Sequence, residues 1–585
     1  MFWERNAPLI PRRLRLEVNE RLRMDGAVDA PLDEAAVEAA AYRFREAGIE
    51  ALAIAFLHAY VNPVHEERAR VLVRAVMPEI DISTSAEVLP EVREYERTST
   101  TALNAYLTPV VNRYLGALEE ALSHHGTDLR IMQSNGGIMS AARTRARPVN
   151  MIESGPAAGV LAAAELAGTL NLQRVVSFDM GGTTAKGCLI EHGKPVETSE
   201  GEVGAGINIA SRLNKGAGYA LRVPAYDIAE VGAGGGSIAW VDEGGALRVG
   251  PHSAGAEPGP AAYGRGGVLP TITDANVLLG FMNPTAIAGG TVPIDVEAAR
   301  VAFEPIAKQL SLSLNAAAYG VHQVGNATMA RAIRAVTTER GRDPRDYDLV
   351  AFGGAGAIHA LTLADSLGIK RALVPLHPGL FSAVGLLLAD HRYDFVQSVS
   401  MSHDASNAQS LLQAYSELSE RAYREAGFST GGEAVLERFV DLRYARQSSD
   451  LTLPLPDVDE AELPQHIASE FHREHERNYG YCQEADEVMV VSIRVRLTAP
   501  AKSVTFPELA EGFWQEAPVQ RKSAARDAYF GGAMGLCYTP VVTRRDLAEQ
   551  AMAGPLIVEE FDTTVVVPPL WQAKLDDLGN IQLRR

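Results

Sequence analysis

Cysteine is scarce: Cys188, Cys482 and Cys537 are the only three in 585 residues. They are too few and too scattered for a disulfide framework or a cysteine-ligated zinc site. Positive charge is also short. With 54 Lys and Arg against 73 Asp and Glu, the formal net charge is −19. Nucleic acid, which requires a basic face, is excluded as a main partner. No apolar run is long enough to span a bilayer, and Met1-Phe2-Trp3-Glu4-Arg5 does not open a signal peptide. A cytoplasmic protein without a membrane partner is the expectation.

What is present is ordinary globular composition, 46% apolar and 22% charged. The length exceeds one hydrophobic core and predicts two to four domains. Residues 31–47 and 63–76 read as helices, 49–57 and 80–85 as strands. A long helix over 98–124 then leads to a strand at 129–132. This α/β layering predicts a mostly parallel sheet with covered faces. Residues 313–340 read as the longest amphipathic helix, followed by a strand at 347–352 and a helix through Leu367. Beyond about Asp394 the character changes. Helices at 408–426 and 460–479, strands at 436–444 and 488–497, and a short-stranded β module over 527–567 suit a structural or subunit-docking role.

The chemistry concentrates in glycine-rich bends. Val175, Val176, Ser177 and Phe178 read as a buried strand ending at Asp179, followed by Met180-Gly181-Gly182-Thr183-Thr184 and a second strand. Glycines let backbone N–H groups approach an anion, two threonine hydroxyls add donors, and an aspartate at the strand end suits Mg²⁺. An ordinary Gly-Gly hairpin accounts for the same residues. A Walker loop does not, because no Gly-Lys-Ser/Thr follows and the chain continues as strand. Gly232-Ala233-Gly234-Gly235-Gly236, with four glycines in five residues, reads as a backbone nest around phosphate or substrate, or as a plain turn. Gly353-Gly354-Ala355-Gly356, opening a helix after a strand, is a candidate for seating a nucleotide's adenosine or ribose against its backbone, and is weak alone. Lys186 points into a cleft or into solvent, and His359 faces a ligand or packs.

Flanking segments are less specific. Ser134-Asn135-Gly136-Gly137 follows a strand, where α/β sheets place ligands. Gly155, Ala158 and Gly159 in Glu153–Gly159 serve close helix packing or ligand contact. Residues 201–218 read as a mobile loop, 253–267 as a site wall, and Asp274 as a helix cap. His58, His65 and His252 read as surface or capping residues.

Five of these motifs, Ser134–Gly137, Ser154–Gly159, Phe178–Thr183, Gly232–Ile238 and Ala351–Gly356, in one order along nearly the whole chain, resemble the hydantoinase/oxoprolinase family. That family takes in the A subunit of N-methylhydantoinase, ATP-dependent 5-oxoprolinase and the nucleotide-handling subunits of ketone carboxylases. The resemblance implies an α/β fold built on an actin–hexokinase-type (ribonuclease H-like) two-lobed ATPase core. It implies ATP and Mg²⁺ as cofactors. Asp179 would then hold Mg²⁺, and Asp179 and Thr183 would be the catalytic pair. Gly181, Gly182, Thr183 and Thr184 would form the second phosphate loop, and Gly234, Gly235 and Gly236 would contact phosphate or substrate. Gly353, Gly354 and Gly356 would form the adenosine loop, and Glu153–Gly159 the helix connecting the lobes. The implied division is 1–150 for the remainder of the first lobe, 151–395 for the second ATPase lobe and 396–585 for a C-terminal α+β and β-rich domain. The implied activity is ATP-dependent hydrolysis of a cyclic amide, through phosphorylation of a carbonyl, in a hetero-oligomer with a B-type subunit. A ketone-carboxylase subunit and a non-catalytic scaffold are the alternatives. One departure stands out: no first phosphate loop precedes Phe178, so residues 3–23 match a segment that normally follows that hairpin. The fold is then expected to be N-terminally incomplete, with unpaired sheet edges, and a separate N-terminal fragment is an expected partner.

Overall fold

The computed structural model describes residues 7–204, 218–455, 458–501, 504–515, 524–532, 534–548 and 550–585. Most of the loop expected over 201–218, and the first four residues of the segment 3–23, therefore lie outside the described residues. No helix among the described residues is long and apolar enough to cross a membrane.

A mixed nine-stranded sheet carries the centre. Its strand order is Ala229–Val231, Ala185–Glu191, Arg174–Met180, Asp348–Phe352, Arg371–Val374, Ile581–Arg584, Gln572–Leu575 and Met552–Ala553, with Lys194–Pro195 paired beside Ala185–Glu191. Three strands are parallel, 174–180 to 348–352 and 348–352 to 371–374. The expected mostly parallel sheet is therefore corrected to a mixed one. The Asp179 hairpin returns antiparallel, and the chain's last strand pairs antiparallel with Arg371–Val374.

The three parallel strands are apolar on both faces because both are covered. Val176, Phe178, Leu349 and Ala351 pack towards the helices Leu314–Val336 and Gly356–Leu367. Val175, Val350 and Phe352 pack on the other face towards Ser154–Thr169 and Phe381–Leu388. The last two helices approach so closely that a Cβ at Gly159 would lie 2.5 Å from the Phe352 ring, and one at Gly385 would overlap the Ala158 carbonyl. The small residues of Glu153–Gly159 serve this packing. Gly155, with nothing within 4 Å of its missing Cβ, is the exception.

Other elements depart from expectation. The longest helix is Glu94–Leu122, at 29 residues, rather than Leu314–Val336, at 23. The first gains a turn before Thr98, and the second ends where Thr337 leaves helical geometry (φ −107°, ψ −85°). The strands Arg130–Met132 and Ile138–Ser140 do not join Ala51–Ile54 and Asp81–Thr84. They complete a six-stranded sheet with His391–Ser402, Val435–Tyr444, Leu451–Pro454 and Val488–Ala499. The segment 396–585 thus divides between that sheet, a four-stranded module and the central sheet. His65 is buried beside Glu20, 2.8 Å from its carboxylate, rather than at the surface.

Substituting Gly385→Ala is expected to destabilise the protein by about 1–3 kcal/mol through overpacking. Gly155→Ala, whose Cβ meets open space, is expected to stay within about 0.5 kcal/mol of the parent. Chemical denaturation of the two variants checks the contrast.

Candidate functional site

Strand register creates the site. Asp179 and Phe352 sit opposite each other on neighbouring parallel strands, so the bends that follow them leave the same end of the sheet. That end is where α/β sheets open a ligand crevice. The bends touch: the Ala355 N–H donates to the Met180 carbonyl at 3.1 Å. Gly353 has φ +82°, and a Cβ there would overlap the Asp179 carboxylate. Only glycine satisfies both conditions.

The first bend is open. Gly181, Gly182 and Thr183 are exposed, the Gly181 N–H donates to Thr184 O at 3.2 Å, and a Cβ at Gly181 or Gly182 would meet nothing within 4 Å. Among the described residues, the N–H groups of Gly182 and Thr183 make no hydrogen bond. Asp179 is half-buried and its carboxylate accepts no hydrogen bond among the described residues. Burial pushes it up to about 6, against the opposing pull of Lys186. Lys186 faces neither open cleft nor bulk solvent. Its ammonium lies 3.1 Å from Glu230 and 3.1 Å from the Thr184 hydroxyl.

The second glycine cluster plays a different part from the one expected. The Gly234 N–H donates to the Ser237 hydroxyl at 2.9 Å. The Gly235 and Gly236 N–H groups donate to the Gly181 and Gly182 carbonyls at 3.1 and 2.6 Å. With its donors spent internally, the segment 234–236 is not an open anion nest; it is a brace behind the first bend. A Cβ at Gly234 would lie 2.5 Å from the Thr183 backbone nitrogen, which explains the glycine. The brace is held in turn by the Thr273 N–H, which donates to Gly235 O at 2.8 Å. Thr271 is the cap of the helix Ile272–Leu278. Asp274 is its third residue, accepting from Thr271 in a capping box and from Ala262 N–H at 2.7 Å.

Two residues that local sequence did not single out reach the second bend. The Thr563 hydroxyl donates to Gly354 O at 3.2 Å, and Asp562 accepts from the Gly379 N–H at 2.7 Å. They come from the module read as devoid of chemistry, some two hundred positions away, and no local pattern marks them.

Other expected contributors lie elsewhere. Asn135 is tied to Asp394 at 2.6 Å and to Arg392 through its carbonyl, and Gly136 abuts Tyr226, so Ser134–Gly137 is a packed knot. His359 is buried, 3.1 Å from Asn276 and 3.2 Å from Asn326, and stacks on His322. Burial pushes His322 down to about 3, so both imidazoles are neutral. His252 is exposed. A cavity of ≈ 2480 Å³ lined by Ala51–Ile54 and by residues of the helix Glu94–Leu122 reaches neither bend.

The residues fit a cation-bound polyphosphate: a lone, unpartnered carboxylate beside free N–H donors. No group of three His, Cys, Asp or Glu side chains converges on a metal position among the described residues. Mg²⁺ differs from zinc in needing only one or two carboxylates when phosphate and water complete its shell.

Comparison with known proteins identifies the family. Family models described as hydantoinase/oxoprolinase, its N-terminal region and its C-terminal domain match residues 97–395, 2–77 and 398–585. An uncharacterized protein of Methanocaldococcus jannaschii is 40% identical over all of this chain and 84% of its own length. The caprolactamase α subunit of Pseudomonas jessenii is 35% identical over 98% of this chain and 82% of its own. The crystal structure of that organism's ATP-dependent caprolactamase superposes with a TM-score of 0.83, at 34% identity, over 100% of this chain and 84% of that one. A nucleotide-free acetone carboxylase structure superposes with a TM-score of 0.74, at 26% identity, over 99% and 82%. The chain belongs to the hydantoinase/oxoprolinase family.

Proposed function

We propose that the two bends grip one ATP with Mg²⁺, and that the chain uses it, with a B-type partner subunit, to open a cyclic amide. The observation that carries this reading is the close approach of Gly353 to Asp179, where even a Cβ would meet the carboxylate, which brings both glycine bends to the same end of the sheet. In this reading residues 151–395, completed by the strands within 552–584, form one lobe of an actin–hexokinase-type core. Bound ATP supplies a transferable phosphoryl group, which turns an unreactive amide carbonyl oxygen into a leaving group. One lactam, two waters and one ATP then balance against the ring-opened amino acid, ADP and phosphate: one water adds to the activated carbon as the ring C–N bond breaks and the amine takes up a proton, and the second hydrolyses the acyl phosphate that remains.

The chain's own part is positioning and charge neutralisation, which is most of what phosphoryl transfer asks of a protein. Asp179 holds the cation. Gly182 and Thr183 donate backbone N–H groups, and Thr183 its hydroxyl, to phosphate oxygens. Thr184 keeps its hydroxyl proton for the same use while accepting from Lys186. Gly353, Gly354 and Gly356 seat the nucleoside side, backed by Thr563. Gly234–Gly236 fix the first bend, so its donors need no reorganisation on binding. The likeness to acetone carboxylase supports a second reading, in which the activated carbonyl is a ketone and the acceptor is bicarbonate. Product analysis with labelled bicarbonate separates the two.

Asp179→Ala is expected to lower nucleotide-dependent turnover by about 100-fold or more with an unchanged circular dichroism spectrum; unaltered turnover would defeat the assignment. The protonated acid cannot hold a cation. Affinity for ATP with Mg²⁺ is therefore expected to rise as pH rises through about 6, and Asp179→Asn to flatten that rise. Calorimetric titration across this range reads both. Gly234→Ala pushes on Thr183 and is expected to weaken ATP binding about tenfold or more. Parent-like affinity in that variant would show that the brace does not set the bend.

A further inference from the structure

The wall beside the first bend carries a cation without a carboxylate partner among the described residues. Ala229–Val231 runs antiparallel to Ala185–Glu191, which itself runs antiparallel to Arg174–Met180. It therefore finishes at the sheet end where Asp179 stands, and the chain that follows it builds up there. Residues 253–267 of that run are pinned close to the bend. The Ala254 N–H donates to Gly236 O at 2.8 Å, and a Cβ at Gly236 would lie 3.0 Å from Ser253 Oγ. The Ala261 and Ala262 N–H groups donate to Asp274 at 3.3 and 2.7 Å. A Cβ at Gly267 would overlap the Gly259 carbonyl, so the segment between them closes into a tight loop.

Arg265 stands at the tip of this loop between Gly264, at φ +63°, and Gly266, at φ +93°. Left-handed residues on both sides fold the chain back about one exposed side chain. Its neighbours show where it stands. Burial raises the Tyr263 hydroxyl's pKa, while the Thr273 side chain and the Arg265 guanidinium, both close to that hydroxyl, pull it down. Thr273 Oγ1 lies 2.7 Å from where a Cβ on Gly235 would stand, and the Gly235 N–H holds the Gly181 carbonyl. Tyr263, Thr273 and Gly235 thus lead in succession from the guanidinium to the first bend.

Among the described residues Arg265 makes no ion pair and no hydrogen bond. Arg248, the other arginine of 232–267, is bound to Asp242 at 2.7 Å, and Lys186 is taken by Glu230. A guanidinium that only solvates a surface needs no glycine on either side of it. One held out over an oxyanion gains from such a frame, and its five N–H donors form a planar fork that suits phosphate oxygens.

We propose that Arg265 reaches over the first bend and neutralises the phosphoryl group in flight from ATP. The inference rests on the two-bend nucleotide reading. In the step concerned, the bond between the γ-phosphorus and the β,γ-bridging oxygen breaks, its electron pair leaving on ADP. A new P–O bond forms to the carbonyl oxygen of the substrate. Arg265 transfers no proton; it donates hydrogen bonds to the equatorial oxygens, over which charge spreads as the group moves. Its effect therefore falls on the moving group rather than on bound ATP.

The full chain is titrated by calorimetry with MgATP, with MgADP, and with MgADP plus aluminium fluoride, which mimics a phosphoryl group between donor and acceptor. Aluminium fluoride is expected to tighten MgADP binding to the parent about tenfold or more, and Arg265→Ala to lose most of that gain while its MgATP affinity stays within about twofold. Arg265→Lys is expected to keep part of the gain. Added guanidinium chloride is expected to restore part of it to Arg265→Ala alone, a rescue that a structural role does not give. The exposed position predicts unchanged thermal stability in both variants. The inference is overturned by an equal gain in parent and Arg265→Ala, by no gain in the parent, or by an equal loss of MgATP affinity, which marks a part in holding the ground state. A parent that binds no MgATP fails earlier, at the nucleotide reading, and takes the role of Arg265 with it.

Discussion

The parallel pairing of Arg174–Met180 with Asp348–Phe352 is the constraint on which the site depends. It places Asp179 beside Phe352, so two glycine bends some 170 positions apart in sequence share one sheet end. A one-residue slip would turn Asp179 into the face packed by Phe178 and bury its carboxylate among apolar side chains. Register is held by coverage of both faces, and that coverage depends in turn on Gly159 and Gly385 letting two helices meet. Packing far from the bends thus sets their separation. The carboxylate carries a cost as well. Its rise from an ordinary 3.8 to about 6 means the unfolded chain ionises first. Stability then declines between about pH 4 and 6, by on the order of 3 kcal/mol at neutral pH. A folding requirement does not account for a carboxylate kept at such a cost without a hydrogen bond; a ligand that needs it does.

A second constraint ties the N-terminal layer to the six-stranded sheet. Glu91 is buried between Arg222 and Arg494; Arg494 lies 3.0 Å from Glu91 and 2.7 Å from Asp441. These carboxylates and guanidinium groups come from four separate segments of the chain. Buried pairs of this kind give little net stability once desolvation is counted, but removing one partner strands the others. Their effect is on geometry: the layers cannot shift without leaving a charge unpaired.

Legibility in the sequence followed range. The helices Glu34–Glu46, Val64–Val76 and Ala408–Ala426 were readable because a 3.6-residue apolar period is local. So was the Asp179 hairpin, because strand, glycine pair and strand are consecutive. Sheet membership was not readable: whether the hairpin of Arg130–Met132 and Ile138–Ser140 joins Asp81–Thr84 or, through Ile138, the strand that begins at His391 is decided by burial, not by its own few residues. The role of Gly234–Gly236 was misread for a related reason. Glycine density reports that a Cβ is not tolerated; it does not report whether backbone or ligand occupies the space. There the neighbour is the Thr183 backbone, and the N–H groups that a nest would have offered are already committed. Thr563 and Asp562 were invisible, since a Thr and an Asp in a turn carry no signal until the fold brings them to Gly354 and Gly379.

Electrostatics narrows what the bends can hold. The chain is acidic, with a formal net charge of −19, and Lys186, the cation beside the clamp in sequence, is already matched by Glu230. A phosphate group brought to Gly182 and Thr183 would meet N–H dipoles and also the Asp179 carboxylate, which repels it. That repulsion becomes attraction only when a cation stands between the two, and a compact divalent ion does so while bridging phosphate oxygens. Asp179 and the free N–H pair therefore make sense together or not at all. A carboxylate alone would favour a bare cation and free N–H groups alone a bare anion; side by side they meet what the proposed metal-bound polyphosphate requires.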